Sequence, residues 1–123
     1  MKVIHTEQII ENIKEVCMEA NYYLSEDMKD VLCEAAEKEE SPLGCQILNQ
    51  LKENLDIAGE NQIPICQDTG MAVVFASVGQ DVRIEGGVLP DAINEGVRQG
   101  YTEGYLRKSV VKDPFIRENT KDN

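Results

Sequence analysis

The first half of the chain has an amphipathic pattern with helical spacing. Apolar residues recur at intervals of three and four between Ile9 and Ala20, and Thr6 before them is a suitable N-cap. This pattern predicts a first helix over about residues 7–21. A second apolar stripe covers residues 28–36. It follows Ser25, a residue type that caps helix N-termini, and predicts a second helix.

A third helix is predicted from a different start signal. Ser41 and Pro42 combine a capping residue with a proline at the first helical position. Apolar residues then share one face over residues 43–55, and Gly59 is a suitable C-terminal stop. Residues 1–60 are therefore predicted to be helical, as an N-terminal helical bundle of three helices.

The pattern changes at Asn61 and indicates strands over residues 61–88. Residues 71–78 are apolar and partly β-branched, which is typical of a buried strand. A turn at residues 79–81 and an alternating segment at 82–84 predict a second strand. Together they indicate a β-hairpin or small sheet, which needs helices or further strands to be stable.

A further helix is predicted over residues 89–105, followed by a polar tail at 106–123. Gly96, Gly100 and Gly104 recur every fourth residue on this helix, although each glycine costs about 1 kcal/mol relative to alanine. The stripe therefore suggests close approach by another element, such as a substrate loop or a second chain. The tail has no closing apolar segment, and we expect the part after Lys108 to be poorly ordered without its neighbours.

Length and composition agree with one α+β domain. The chain has 123 residues, of which 41% are hydrophobic and only 5% aromatic, so a single aliphatic core is expected. The net charge is −11, and such an acidic surface repels phosphate backbones and anionic lipids. Nucleic acid and membranes are thus excluded as partners, and a dicarboxylate would need local cations at its site.

The N-terminal segment and the hydropathy of the chain indicate a cytoplasmic protein. The first residues turn polar too early for a signal peptide, and no apolar run approaches a membrane span. The four cysteines contain no C-x-x-C pair, so their spacing does not predict a zinc site.

The loop Cys66-Gln67-Asp68-Thr69-Gly70 combines groups that can carry chemistry. A thiolate can bind a metal, a carboxylate can move a proton and an amide can orient a substrate. The same five residues also fit a buried cysteine followed by an Asx-type turn.

The remaining candidates outside the loop are weaker. Arg107 lies in a basic stretch and could bind a carboxylate in bidentate fashion, or could simply be solvated. Cys17, Cys33 and Cys45 are predicted to be structural residues on helices. His5, the only histidine, is interpreted as a surface or capping residue.

Two motifs in this order resemble a known family. Residues 64–70, and then Arg107-Lys108-Ser109-Val110-Val111 with the segment up to Asn123, are similar to the α region of class I iron–sulfur fumarases and of tartrate dehydratase. The resemblance covers nearly the whole chain. It implies a [4Fe–4S] cluster held by three cysteines, with an open iron that binds substrate as a Lewis acid.

The resemblance also implies roles for four residues. Cys66 would supply one cluster thiolate, Gln67 and Arg107 would bind the substrate, and Asp68 would assist proton transfer. The implied reaction is reversible hydration of fumarate to malate, or dehydration of tartrate to oxaloacetate.

The family's α region is more than twice as long and carries two further cluster cysteines. We therefore expect an N-terminal fragment that is inactive alone, with the remainder of the α subunit, a β subunit or domain, and a second copy as partners. Two other classes stay open: a non-catalytic, partner-binding or regulatory truncated paralogue, and a small redox or metal-storage protein using all four cysteines.

Overall fold

The computed structural model describes residues 1–123 and has an α+β fold, as the sequence predicts. The elements in chain order are β1 (Lys2–His5), α1 (Thr6–Tyr22), α2 (Glu26–Lys38), α3 (Pro42–Asn61), β2 (Val82–Glu85) and α4 (Leu89–Glu103). None of these helices combines the length and the apolar character needed to cross a membrane.

The helix starts follow the local signals closely. The Ser41 hydroxyl accepts a hydrogen bond from the Gly44 amide at 3.3 Å, with Pro42 in the first turn of α3. Helix α1 has His5 rather than Thr6 as its N-cap, and the His5 amide donates to Gln8 Oε1 at 3.1 Å. The expectation of a capping position for His5 is thereby confirmed.

The predicted stop at Gly59 is wrong. Helix α3 continues to Asn61 and ends at Gln62, which takes the left-handed conformation with a φ of 52°. Gly59 instead makes room for Tyr23, because a Cβ at residue 59 would lie 3.0 Å from the Tyr23 ring. The glycine here serves packing between the α1–α2 junction and α3.

The small sheet is confirmed, but it is parallel and not a hairpin. Strand β2 pairs with β1, with Lys2 opposite Val82 and His5 opposite Glu85. The N-terminal strand was missed by sequence reasoning, because four residues with two adjacent apolar positions carry little signal. The parallel pair is joined through three helices, as parallel strands require a long crossover.

The strand predicted over residues 71–78 is not formed. These residues have no regular secondary structure, and Met71, Val73 and Phe75 are 66%, 67% and 94% exposed. Strand preference depends on packing against neighbouring strands, and this chain places no strand beside the segment.

The core lies between α1 and α4. Tyr22, Val97, Tyr101 and Leu106 form its buried cluster. Helix α1 packs chiefly on α4, whereas α2 packs on α3. The three opening helices are present, and the fourth helix supplies the main contact of the first.

The glycine stripe of α4 is the reason for this close contact. A Cβ on Gly96 would lie 2.7 Å from the Ile13 Cβ and 2.8 Å from the Ile10 carbonyl oxygen. A Cβ on Gly100 would lie 2.9 Å from the Cys17 Cβ. The close approach of another element to the glycine stripe is confirmed. That element is α1, and not the substrate loop or second chain suggested from the sequence.

Candidate functional site

The candidate loop begins at a segment held by two helices. The Ile65 amide donates to the Asn21 carbonyl near the end of α1 at 2.9 Å. The Ile65 carbonyl accepts from Asn54 Nδ2 on α3 at 2.8 Å. Both backbone groups of Ile65 are therefore satisfied, and the residue that follows it starts from a fixed point.

The loop ends at Gly70, which is held by two other side chains. The Gly70 carbonyl accepts from the Tyr101 hydroxyl on α4 at 3.1 Å and from Asn123 Nδ2 at 3.0 Å. Gly70 has a φ of +65°, a conformation that glycine adopts without the penalty of a Cβ. The chain can therefore turn sharply at this point.

Three exposed side chains lie between these two attachments: Cys66, Gln67 and Asp68. The Asp68 Oδ1 accepts a long hydrogen bond of 3.4 Å from the Gly70 amide, as in an Asx-type turn. The structure does not bury Cys66, so its thiol can reach a metal or another molecule.

Arg107 is brought to this loop through its backbone. The Arg107 amide donates to Thr69 Oγ1 at 2.9 Å, and the Arg107 carbonyl accepts from Asn123 Nδ2 at 2.9 Å. The Arg107 side chain is exposed and forms no ion pair within this chain. The two motifs, 38 residues apart at Thr69 and Arg107, thus meet at one place with a cation left free.

The tail is folded back onto this loop, in contrast to the expected poor order. Val111 and Asn119 form an antiparallel bridge, and Asn119 Nδ2 donates to the Lys108 carbonyl at 2.7 Å. Asn123 connects the tail to the segment after the loop. Its Oδ1 accepts from the Val110 amide at 3.1 Å, and its backbone carbonyl accepts from the Ala72 amide at 3.3 Å.

Sequence reasoning missed three residues that build this arrangement: Thr69, Tyr101 and Asn123. Thr69 and Asn123 stood within the recognised motifs, but short polar side chains give no sign of which backbone they will bind. Tyr101 is 3% exposed and reads as a core residue, while its hydroxyl reaches the loop.

Burial governs the titration of the core groups beneath the loop. It raises the pKa of the Tyr101 hydroxyl, with a further upward contribution from Cys17 and a downward one from the hydrogen bond with Asn123. Burial likewise raises the pKa of the Cys17 thiol. Cys17 therefore stays protonated at neutral pH and is a poor metal ligand.

The cysteines of this chain do not converge on one site. Cys17, Cys33 and Cys45 are half-buried on three different helices, and the Cys45 thiol donates to the Glu39 carbonyl at 3.2 Å. No three His, Cys, Asp or Glu side chains lie together as a metal site. The residues fit one exposed thiol ligand of a cluster and not a complete set.

Comparisons with known proteins agree on one family. The sequence profile described as fumarate hydratase (Fumerase) matches residues 10–123. A Methanocaldococcus jannaschii protein assigned as L(+)-tartrate dehydratase subunit alpha is 40% identical over 94% of this chain. A Geobacillus stearothermophilus protein assigned as fumarate hydratase class I is 29% identical over 95% of the chain.

The relatives are longer than this chain. It spans 41% of the Methanocaldococcus jannaschii protein and 22% of the Geobacillus stearothermophilus protein. The aerobic class I fumarate hydratase of Escherichia coli K12 is 42% identical over 60% of the chain, which spans 14% of that protein. Because the profile covers all but the first nine residues, the chain belongs to the fumarate hydratase (Fumerase) family.

Proposed function

We propose that this chain forms part of an iron–sulfur hydro-lyase that interconverts fumarate and malate. The observation that carries the proposal is the exposed group Cys66–Asp68, fixed at both ends and joined to Arg107 through Thr69 and Asn123. These hydrogen bonds bring the loop that carries a thiol, an amide and a carboxylate against the backbone segment that carries the Arg107 guanidinium, and both segments belong to the motifs of the family resemblance.

Each side chain has a role suited to its chemistry. Cys66 supplies one thiolate to a [4Fe–4S] cluster whose other two cysteine ligands are not in this chain. Gln67 donates or accepts a hydrogen bond to orient the substrate. Asp68 holds or moves a proton beside the substrate, and Arg107 binds a substrate carboxylate through its planar pair of donors. A cluster held in part by Cys66 would supply Lewis acidity towards the leaving hydroxyl.

Local charge at the site suits a dicarboxylate despite the acidic chain. The whole chain carries −11, so a dianion is repelled from most of its surface. Arg107 lies beside the loop through its backbone hydrogen bonds with Thr69, and its side chain forms no ion pair within this chain. This cation supplies local attraction for a substrate carboxylate.

Dehydration of tartrate to oxaloacetate is a second candidate reaction. The M. jannaschii relative assigned to tartrate dehydratase matches 94% of the chain, whereas the E. coli fumarate hydratase matches 60%. Both reactions remove or add water across a four-carbon dicarboxylate, so the same four residues serve either.

Partners follow from the same proposal. The remaining part of an α region supplies two cluster ligands, and a β subunit or domain supplies further substrate contacts. We also propose a homo-oligomer in the cytoplasm. A non-catalytic regulatory module is the competing class, and it predicts that the chain binds such partners without supporting turnover.

The test begins with the complex that this chain forms in its own cells. A tag on the chain allows anaerobic purification, followed by assays with fumarate, malate and L-tartrate. We expect turnover of fumarate and malate. Cys66→Ser should reduce kcat by about 100-fold or more, because loss of a ligand disrupts an open metal site.

The matched control is the substitution Cys33→Ser. Cys33 is a half-buried cysteine on α2, and the variant should keep near-normal activity. Equal loss in both variants, or full activity of Cys66→Ser, would contradict the proposed role. Turnover by the chain alone after reconstitution with iron and sulfide would contradict the requirement for partners. Turnover of L-tartrate but not fumarate would favour the second reaction.

A further inference from the structure

Asn123 lies where the two motifs meet and uses its whole amide group. Its Nδ2 donates to the Gly70 carbonyl at 3.0 Å and to the Arg107 carbonyl at 2.9 Å, while its Oδ1 accepts from the Val110 amide at 3.1 Å. Two carbonyls need donors and one amide needs an acceptor. Only one orientation of the side-chain amide therefore satisfies all three groups.

Thr69 makes a second connection between the same segments. Its hydroxyl accepts from the Arg107 amide at 2.9 Å and lies 3.4 Å from the Arg107 carbonyl, to which it donates. A single side chain thus occupies both backbone groups of Arg107, as a neighbouring strand would do. Thr69 is half-buried, so water competes only partly for these bonds.

The functional side chains themselves have few such restraints. Gln67 and Arg107 make no side-chain hydrogen bond within the chain, and both are exposed. Their positions are consequently set by the backbone segments that carry them. Any shift between these segments changes the distance between the loop and the guanidinium, and small misplacements of substrate-binding groups have large kinetic effects.

We propose that Thr69 and Asn123 are positioning residues that hold the Cys66–Gly70 loop at a fixed distance from Arg107 and thereby set the affinity for the dicarboxylate. Thr69 acts through the backbone of Arg107, and Asn123 acts through backbone groups of Gly70, Arg107 and Val110. This inference rests on the proposed function for its kinetic consequence, whereas the mechanical part stands on the hydrogen bonds alone.

The mechanical part is tested on this chain by amide hydrogen exchange. Thr69→Val keeps the shape of the side chain but removes the hydroxyl, and Thr69→Ser keeps the hydroxyl. We expect the Arg107 amide to exchange about tenfold faster in Thr69→Val than in Thr69→Ser, with the amides of Val97 and Tyr101 unchanged in both. Equal exchange of Arg107 in the two variants would overturn the proposal.

The kinetic part is tested on the complex. Thr69→Val and Asn123→Asp should raise KM for fumarate about five- to tenfold, the effect of losing one or two hydrogen bonds, whereas Thr69→Ser stays near the unsubstituted protein. Asn123→Asp is informative because its carboxylate has no N–H to give and faces two carbonyl oxygens.

A merely structural role would lower the active fraction, and hence kcat, at an unchanged KM. That result, or failure of Thr69→Ser to restore KM, overturns the role in affinity. If the unsubstituted complex turns over neither fumarate nor L-tartrate, the proposed function fails and the affinity role fails with it. The exchange measurement still decides whether Thr69 joins the two segments.

Discussion

At the scale of single residues, the four cysteines show how position separates chemically identical groups. Cys66 is exposed in a loop, whereas Cys17 is half-buried against α4. Burial disfavours the charged thiolate, which raises the pKa of Cys17. Since the thiolate is the reactive and metal-binding form, only Cys66 combines access with a place in the candidate site.

This difference predicts the order of alkylation by iodoacetamide. At neutral pH, Cys66 should react on the order of tenfold or more faster than Cys17, because access and a low thiolate fraction both slow Cys17. Peptide mass spectrometry over a time course measures both rates. Under denaturing conditions the two rates should become similar, and faster labelling of Cys17 in the folded chain would contradict the arrangement.

At the scale of elements, the α1–α4 pair is the best-defined packing in the molecule. The small residues of α4 allow the backbone of α1 to approach, and the aromatic residues Tyr22 and Tyr101 fill the space beside them. The Tyr22 hydroxyl donates to the Gly104 carbonyl at 3.0 Å, which joins the two helices near their C-terminal ends. The candidate loop is attached to both helices of this pair, through Ile65 to Asn21 and through Gly70 to Tyr101.

A methyl group on the glycine stripe should therefore destabilise the chain. In Gly96→Ala the new Cβ would lie 2.8 Å from the Ile10 carbonyl oxygen, which cannot move without the helix. Overpacking costs about 1–3 kcal/mol and exceeds the gain in helix propensity of about 1 kcal/mol. Thermal unfolding by circular dichroism should show a lower Tm.

The matched control is Asn94→Ala, at an exposed position of the same helix. It should leave Tm unchanged or raise it slightly, because alanine has the better helix propensity. If Gly96→Ala proved as stable as Asn94→Ala, the close contact between α1 and α4 would be in error.

At the scale of the whole molecule, apolar surface remains uncovered. The segment 71–78 exposes several large apolar side chains, with Phe75 94% exposed. The glycine stripe, by contrast, is covered by α1 and is no longer a candidate for association. Residues 71–78 expose apolar side chains and pair with no strand. Such a segment favours self-association.

We expect the isolated chain to associate with itself through this segment. Phe75→Ser should shift the sedimentation profile towards monomer at micromolar concentration, because it removes the most exposed aromatic group of the segment. Phe115→Ser is the matched control, since Phe115 is also 94% exposed but lies in the polar tail. An equal shift in both variants would mean that exposure alone, and not the segment, drives association.

Much of the local structure could be predicted from the sequence because its causes are local. Helical spacing of apolar residues and Ser41-Pro42 at a helix start act within a few residues, so α1, α3 and α4 lie close to their predicted bounds. The loop Cys66–Gly70 and Arg107 could be identified as candidates because their motifs resemble those of a known family.

Only the tertiary structure decided what lies beside what. The parallel pairing of β1 with β2, the identity of α1 as the partner of the glycine stripe and the joining of the loop to Arg107 depend on contacts between distant segments. Thr69 and Asn123 bind backbone groups, which every residue carries, so their side-chain chemistry could not name a partner. Local sequence determined the elements and the candidate residues, and long-range packing and hydrogen bonding determined that the loop lies against the Arg107 segment.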